Sequence, residues 1–287
     1  MKTATLLWLA ALQLLIIGWV HNPFSSAERA QAPWLGDAEI DTFTVEDQDG
    51  TQRHLVRSDG VWMLEPEGLP GDGAKIDALL DRLAALSPAP PLATSEAAAK
   101  RFAVAEADGF ERRITLAAGK KSWTALLGRS QGPRHSALRW ANEPEIYRVA
   151  LTLADWPLAL EDWIDRTLLA LPEAQQGTLT VGSRVLTEAD DASAVATLRQ
   201  RLAALRVSRL ASEAERDGAE AVASVSAEGA GDGGQAVSLR LARLGTEASP
   251  TGYVLTSSAR PETFYLAPYQ GRPLQDALAA LESTPSP

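Results

Sequence analysis

The sequence predicts an α+β protein, an N-terminal transmembrane helix followed by two similar antiparallel sheet-plus-helix repeats. Three observations predict it. An uncharged apolar run opens the chain, short stretches of alternating apolar and polar residues recur between Gly and Asp turns, and the two halves echo each other at a nearly constant spacing.

From Ala4 to Val20 the chain carries no charge, and its polar side chains are Thr5 and Gln13. Such a run can cross hydrocarbon as one helix, because a helix satisfies its own backbone. At about 1.5 Å per residue it reaches the short end of a membrane span. Trp8 and Trp19 suit the interfaces. Lys2 and the terminal amine precede the run, whereas Glu28 and Arg29 cancel after it, so the positive-inside rule places the body outside the cytoplasm. A cleaved secretory signal is the competing reading, with Ser25, Ser26 and Ala27 as small residues for a peptidase. Both readings export the body. We expect an anchor over 1–21, a Pro/Ser/Ala-rich linker over 22–39, a first α+β repeat over 40–171 and a second, diverged repeat over 172–287.

In the first repeat, Ile40 to Val45, Thr51 to Arg57 and Val61 to Leu64 alternate around Asp49-Gly50 and Asp59-Gly60, predicting an antiparallel meander. Asp72 then heads a helix with Ile76, Leu79, Leu80, Leu83 and Leu86 on one face. After a short helical turn near Ser95 to Phe102, strands are predicted at Phe110 to Ala117, Ser122 to Leu127, His135 to Trp140 and Ile146 to Val149. Trp156, Leu160, Trp163 and Leu168 predict a second amphipathic helix closed by Pro172. The second half repeats the order, beginning with a hairpin over Thr178 to Thr187 and a helix lined by Val195, Leu198, Leu202 and Leu205. Arg82 to Leu86 recurs as Arg201 to Leu205, Pro144 to Ala150 as Pro261 to Ala267, and Pro157-Leu158 as Pro273-Leu274, at offsets of 119, 117 and 116 residues. Every tryptophan lies at or before Trp163, so the halves have diverged unevenly.

Composition narrows the function classes. The 45% apolar and 22% charged residues are those of a folded domain. A net charge of −10 without a basic run argues against nucleic acid, whose affinity depends on many Lys and Arg contacts. The absence of cysteine removes disulfides, thiolate metal sites and cysteine nucleophiles.

Several motifs resemble chemistry. Gly128-Arg129-Ser130-Gln131-Gly132 fits the G-x-S-x-G elbow, yet the elbow needs a strand-to-helix turn, and Pro133 with His135 to Trp140 predicts a strand. Gly229 to Gly234 fits G-x-G-x-x-G, but Glu228 and Asp232 would repel phosphate and a strand follows. His21, His54 and His135 share no ligand spacing. Asp47-Gln48-Asp49-Gly50 lacks the later acid of a calcium loop and reads as a hairpin turn. Glu188, Asp190 and Asp191 precede a helix, where carboxylates favour the positive dipole end. Glu161, Asp162 and Asp165 around Trp163 have the spacing of a solvated helix face. We therefore expect no catalytic residue, no cofactor and no metal site. Trp62, Trp123, Trp140 and Trp163 read first as core and second as contact surface.

Trp62 and Leu64 with Pro66 and Pro70, the Leu-rich helix Lys75 to Leu86, Leu126-Leu127-Gly128, Tyr147-Arg148-Val149 and Trp163 to Leu169 form a combined pattern. This pattern resembles a family of bacterial envelope proteins, the domain of unknown function 4340 (DUF4340) family. The resemblance covers residues 40–170 and extends to the second half through the repeat. It implies a membrane-anchored α+β protein often encoded beside subunits of ATP-binding-cassette (ABC) transporters. The second half departs from it by lacking the tryptophan of the opening hairpin. The function expected is a non-catalytic, membrane-anchored envelope protein that binds another membrane protein, with ABC transporter subunits as partners, in the inner membrane with a periplasmic body. The alternatives are a lipid- or glycan-binding envelope module and, from a different class, an envelope hydrolase using Ser130 or the Glu161 and Asp165 acids.

Overall fold

The computed structural model describes residues 33–282 except 88, 108, 188–189 and 232–233. The expected anchor over 1–21 and most of the linker lie outside the described residues. Among the described residues no helix is long and apolar enough to cross a membrane. The described chain forms two compact units, residues 33–68 with Gly73–Leu158, and Leu69–Asp72 with residues 159–282. Each unit is an antiparallel sheet carrying helices, the α+β class that the alternating runs predict.

In the first unit β1 (Thr42–Glu46), β2 (Gln52–Ser58) and β3 (Val61–Glu65) form the meander. The Asp47 carboxylate closes the β1–β2 turn by accepting from Asp49 N and Thr51 N, each at 3.0 Å, and Gly50 supplies the positive φ of 80°. β4 (Leu69–Pro70) belongs to the second unit. Helix α1 (Gly73–Ala84) follows and buries Ile76, Leu79, Leu80 and Leu83, the face predicted from their spacing. The short α2 (Glu96–Phe102) is capped by Ser95, whose hydroxyl accepts from Ala98 N at 3.3 Å. β5 (Arg112–Ala118), β6 (Lys121–Ser130), β7 (Ser136–Trp140) and β8 (Ile146–Val149) complete the sheet. Its strands run β3-β2-β1-β5-β6-β7-β8. Phe43, Leu55, Leu64, Leu116 and Leu138 fall on one buried side. On the other side, α2 residues Ala98 and Ala99 pack on Leu126, Ala137 and Ile146.

The second unit contains β9 (Leu179–Val181), β10 (Arg184–Val185), α3 (Ala192–Ala203), β11 (Arg209–Leu210) and α4 (Glu213–Gly218). The long strands β12 (Glu220–Ala227), β13 (Val237–Gly245), β14 (Pro250–Ser257) and β15 (Arg260–Leu266) follow, then α5 (Pro268–Glu282). The strand order is β10-β9-β12-β13-β14-β15-β11. Leu198 and Leu202 of α3 and Leu274, Leu278 and Leu281 of α5 are buried.

Traced along the chain, β2-β1-β5-β6-β7-β8 and β10-β9-β12-β13-β14-β15 have the same connectivity. Helices α1 and α3 have equal length, and both bounds are 119 residues apart. The far edge agrees as well. Leu92 N donates to Ile146 O at 2.7 Å just before α2, as β11 pairs with β15 just before α4. Two differences stand out among the described residues: β3 has no counterpart beside β10, and α5 replaces the 3-10 turn Leu153–Asp155 that follows β8.

The helix expected over Trp156 to Leu168 is absent; the 3-10 turn Leu160–Asp162 lies in this stretch, and a second, Leu153–Asp155, precedes it. Trp163 O and Asp165 N instead bond Asp72 N and Pro70 O, each at 2.8 Å. Backbone groups committed sideways are unavailable for the i→i−4 bonds of a helix.

Candidate functional site

The residues that resembled catalytic motifs have structural work in their own turns. Ser130 ends β6, and its hydroxyl donates to Gly132 O at 2.8 Å, closing the hairpin to β7. Gly229 to Gly234 joins β12 to β13, with Gly231 N bonded to Gln235 O at 2.9 Å; Asp232 and Gly233 lie outside the described residues. His54 lies in β2, whereas His135 falls in the loop just before β7, one residue ahead of the strand start expected there. His54 Nδ1 is 2.8 Å from Thr44 Oγ1 and its Nε2 is 3.9 Å from Glu65 Oε2, whereas His135 Nδ1 is 3.3 Å from Arg148 Nη2. His21 lies outside the described residues. Glu161 and Asp162 sit in a 3-10 turn, not on the helix face expected, and the Asp165 carboxylate accepts from Thr167 N at 2.8 Å and Thr167 Oγ1 at 2.6 Å. Among the described residues no group of three His, Cys, Asp or Glu could hold a metal ion.

The acids before α3 divide their roles. Asp191 caps the helix, accepting from Ser193 N at 2.8 Å and Ala194 N at 3.4 Å. Asp190 is buried, accepts from Thr187 N at 2.7 Å and pairs with Arg184. The Thr187 backbone N–H and the Arg184 charge hold its carboxyl below the usual carboxylate range although burial pushes the other way. Glu188 lies outside the described residues.

Two of the concavities among the described residues are candidates for binding. The first unit has one of ≈ 400 Å³ lined by Trp34, Ser122, Trp123, Thr124, Trp140, Asn142 and Glu143, together with Ala141. Trp34 stands edge-on to Trp140 with centroids 5.6 Å apart and lies 4.9 Å from Tyr147. Trp62, Trp140 and Trp163 are core, as first read, while Trp123 and Trp34 are half-buried at the rim. Burial, then the nearby Glu145 and Glu143 carboxylates, raise the Tyr147 phenol. The sequence reading missed Trp34 because it falls in a stretch with linker composition. A lone tryptophan among Pro, Ala and Gly was the available signal.

The second unit has a larger pocket of ≈ 670 Å³, lined on the strand side by Leu179 and Leu186 and on the helix side by Ala192, Val195, Ala196 and Arg199. Thr178, Thr187 and Asp190 add polar groups. Arg199 is committed to the backbone, its Nη2 donating to Gly177 O at 2.9 Å.

The family model described as a domain of unknown function, DUF4340, matches residues 62–190. These residues belong to the DUF4340 family. No curated protein matches the chain, and no solved structure does. The DUF4340 match opens at Trp62 in β3, includes α1 and all of β5 to β8, and closes at Asp190 beside the second-unit pocket. Two residues within the matched range, Gly128 and Trp62, are packing devices. A Cβ at Gly128 would lie 2.1 Å from Phe102 O, so glycine lets β6 pass beneath the end of α2. Trp62 Nε1 donates to Asp77 Oδ1 at 2.9 Å, tying β3 to α1.

Proposed function

We propose that the chain is a non-catalytic, membrane-anchored envelope protein whose exported body binds another membrane protein, with ABC transporter subunits as the partner class. The single observation that carries the binding role is the first-unit concavity, where Trp34 and Trp123 keep indole surface at the rim beside Asn142 and Glu143. Tryptophan at the edge of a concavity is the composition of interaction hot spots. The anchor rests on the apolar run from Ala4 to Val20, and the periplasmic address on the charge flanking it. The transporter association rests on the family resemblance. The shared strand order and the echoes of 119, 117 and 116 residues support a duplicated body.

The test is affinity purification of the full-length protein from native membranes in mild detergent, followed by mass spectrometry, with an anchor-only control and a Trp34→Ala, Trp123→Ala double variant. Transporter subunits recovered with the wild type and lost with the double variant support the reading. A body that travels alone overturns it. The polar lining of the same concavity, Ser122, Thr124, Asn142 and Glu143 beside indoles, supports a second reading as a glycan site. In that case glycan fragments raise the melting temperature of the wild type and not of the double variant.

A further inference from the structure

The two halves treat one repeated arginine differently. In the first unit Arg82, in the last turn of α1, is neutralised by Asp155, with Nη2 2.6 Å from Oδ1. Asp155 also accepts from Thr152 N at 2.7 Å and Thr152 Oγ1 at 2.8 Å, which fixes its carboxylate at the 3-10 turn after β8. One anion therefore closes both the helix end and the turn.

The second unit keeps the arginine and drops the acid. Arg201, 119 residues on, stands in the last turn of α3 as Arg82 stands in α1. The position matching Asp155 is Gly271 when counted from Pro157-Leu158 and Pro273-Leu274, 116 residues apart. Counted from the ends of β8 and β15, 117 apart, it is Arg272. Neither is acidic, and a Cβ at Gly271 would stand 2.1 Å from Tyr253 Cδ2.

A second cation joins the first. Arg201 and Arg206 line one cavity of ≈ 220 Å³ with Tyr269 and Gln270, on an apolar floor of Leu205 and Leu274. The negative end of the α3 dipole accounts for Arg201; Arg206 lies beyond the helix. Among the described residues neither guanidinium is paired with a carboxylate, and no acid lines the cavity. That is unusual in a chain with 37 Asp and Glu against 27 Lys and Arg, and the two cavities described above include Glu143 and Asp190. Tyr269 is 74% exposed. Gln270 Oε1 is buried without a partner among the described residues, an acceptor that calls for a donor.

We propose that this cavity binds a phosphate ester carrying a neighbouring hydroxyl, the chemistry of a glycerol phosphate group. Its phosphate takes the place that the Asp155 carboxylate fills in the first unit. Two guanidiniums suit a phosphate, whose oxygens accept charge-assisted bonds from both. The ligand hydroxyl supplies the donor for Gln270, and its carbons rest on Leu205 and Leu274. The group occurs free, as glycerol 3-phosphate, and on anionic glycerophospholipids, whose interface suits an exposed tyrosine. The cavity belongs to the second unit, so this inference stands apart from the partner proposed for the first-unit concavity.

The test uses the full chain in neutral detergent. Calorimetry follows glycerol 3-phosphate, inorganic phosphate and glycerol, and the melting temperature is read in micelles doped with phosphatidylglycerol or phosphatidylcholine. Saturable binding of glycerol 3-phosphate supports the site with a free ester as its ligand. A melting temperature raised by phosphatidylglycerol and not by phosphatidylcholine supports it with a lipid headgroup. Arg201→Gln and Arg206→Gln each weaken binding about tenfold or more, and each removes the thermal gain. Arg216→Gln, at an exposed α4 position outside the cavity, removes the same charge and leaves both readings unchanged. Gln270→Leu erases the preference for glycerol 3-phosphate over inorganic phosphate. The proposal is overturned if neither the ester nor the lipid gives a response, or if the response survives Arg201→Gln. An equal loss in Arg216→Gln would reveal diffuse charge attraction and overturns it too, as does inorganic phosphate binding as tightly as the ester.

Discussion

The indole N–H of Trp62 and the guanidinium of Arg57 meet on one oxygen, Asp77 Oδ1, at 2.9 and 2.7 Å. This three-residue contact joins the meander to α1, and Trp62 is 1% exposed. Removing Asp77 leaves a buried donor without an acceptor, which costs roughly 1–3 kcal/mol. Asp77→Ala is expected to lower the unfolding free energy by about 2 kcal/mol in urea titration. A loss under about 0.5 kcal/mol would show that the contact does not hold the meander to the helix.

Gly271 lies in α5, where alanine ordinarily favours the helix by about 1 kcal/mol. Here a Cβ would stand 2.1 Å from Tyr253 Cδ2 and 2.3 Å from its Cγ. Tyr253 is buried, and its hydroxyl donates to Gln275 Oε1 at 2.9 Å, so the ring has little room to withdraw. Overpacking of this kind costs roughly 1–3 kcal/mol, more than the propensity gain. Gly271→Ala should therefore lower the melting temperature; a rise would mean that α5 slides away from β14 freely.

Glu215 ties α4 to the sheet edge. Both its oxygens accept from Arg209, at 2.6 and 2.7 Å, and it also accepts from Ser212 N at 2.9 Å. The Arg209 hydrogen bonds first, and the Ser212 donors after them, hold its carboxyl down at about 2, against an ordinary 4.5. A depressed carboxylate contributes stability that is complete above the unfolded value and disappears as pH falls through the folded one. The window is therefore pH 4.5 down to about 2. Solvent screening limits the contribution to on the order of 1 kcal/mol. The stability gap between wild type and Glu215→Gln should be open at pH 6 and nearly closed at pH 2.5, as followed by urea unfolding. A gap independent of pH would rule out the ion pair as its source.

Much of this architecture was legible in local chemistry. Asp49-Gly50 marked a turn, Ile76, Leu79, Leu80 and Leu83 marked a helix face, and the spacing of Arg82 to Leu86 from Arg201 to Leu205 located the second helix. Trp156 to Leu168 misled because helical spacing of apolar residues does not reveal where backbone groups bond, and there they bond to residues 70–72. The pocket in the second unit was out of reach for a related reason. The second half's lack of tryptophan is visible in the sequence, but the pocket exists only when Leu179 and Ala196 are brought together by the sheet and α3. Trp34 was hidden by its neighbours' composition, and its contacts with Trp140 and Tyr147 depend on strands more than 100 residues away.

Trp62 and Trp140 are buried to similar degrees, at 1% and 5% exposure, yet their indole N–H groups differ. Trp62 donates to Asp77, whereas Trp140 Nε1 is buried without a partner among the described residues. Replacing either by phenylalanine loses a similar apolar area. At Trp62 the change also removes a hydrogen bond to a charged group, worth about 1.5–3 kcal/mol. At Trp140 it removes an orphaned donor, whose loss offsets part of the packing cost. We expect Trp62→Phe to destabilise by about 2 kcal/mol more than Trp140→Phe when both are unfolded in urea. Equal losses would mean that the Trp140 N–H finds a partner in solution, and the first-unit rim, where Trp34 packs on Trp140, would be the place to look for it.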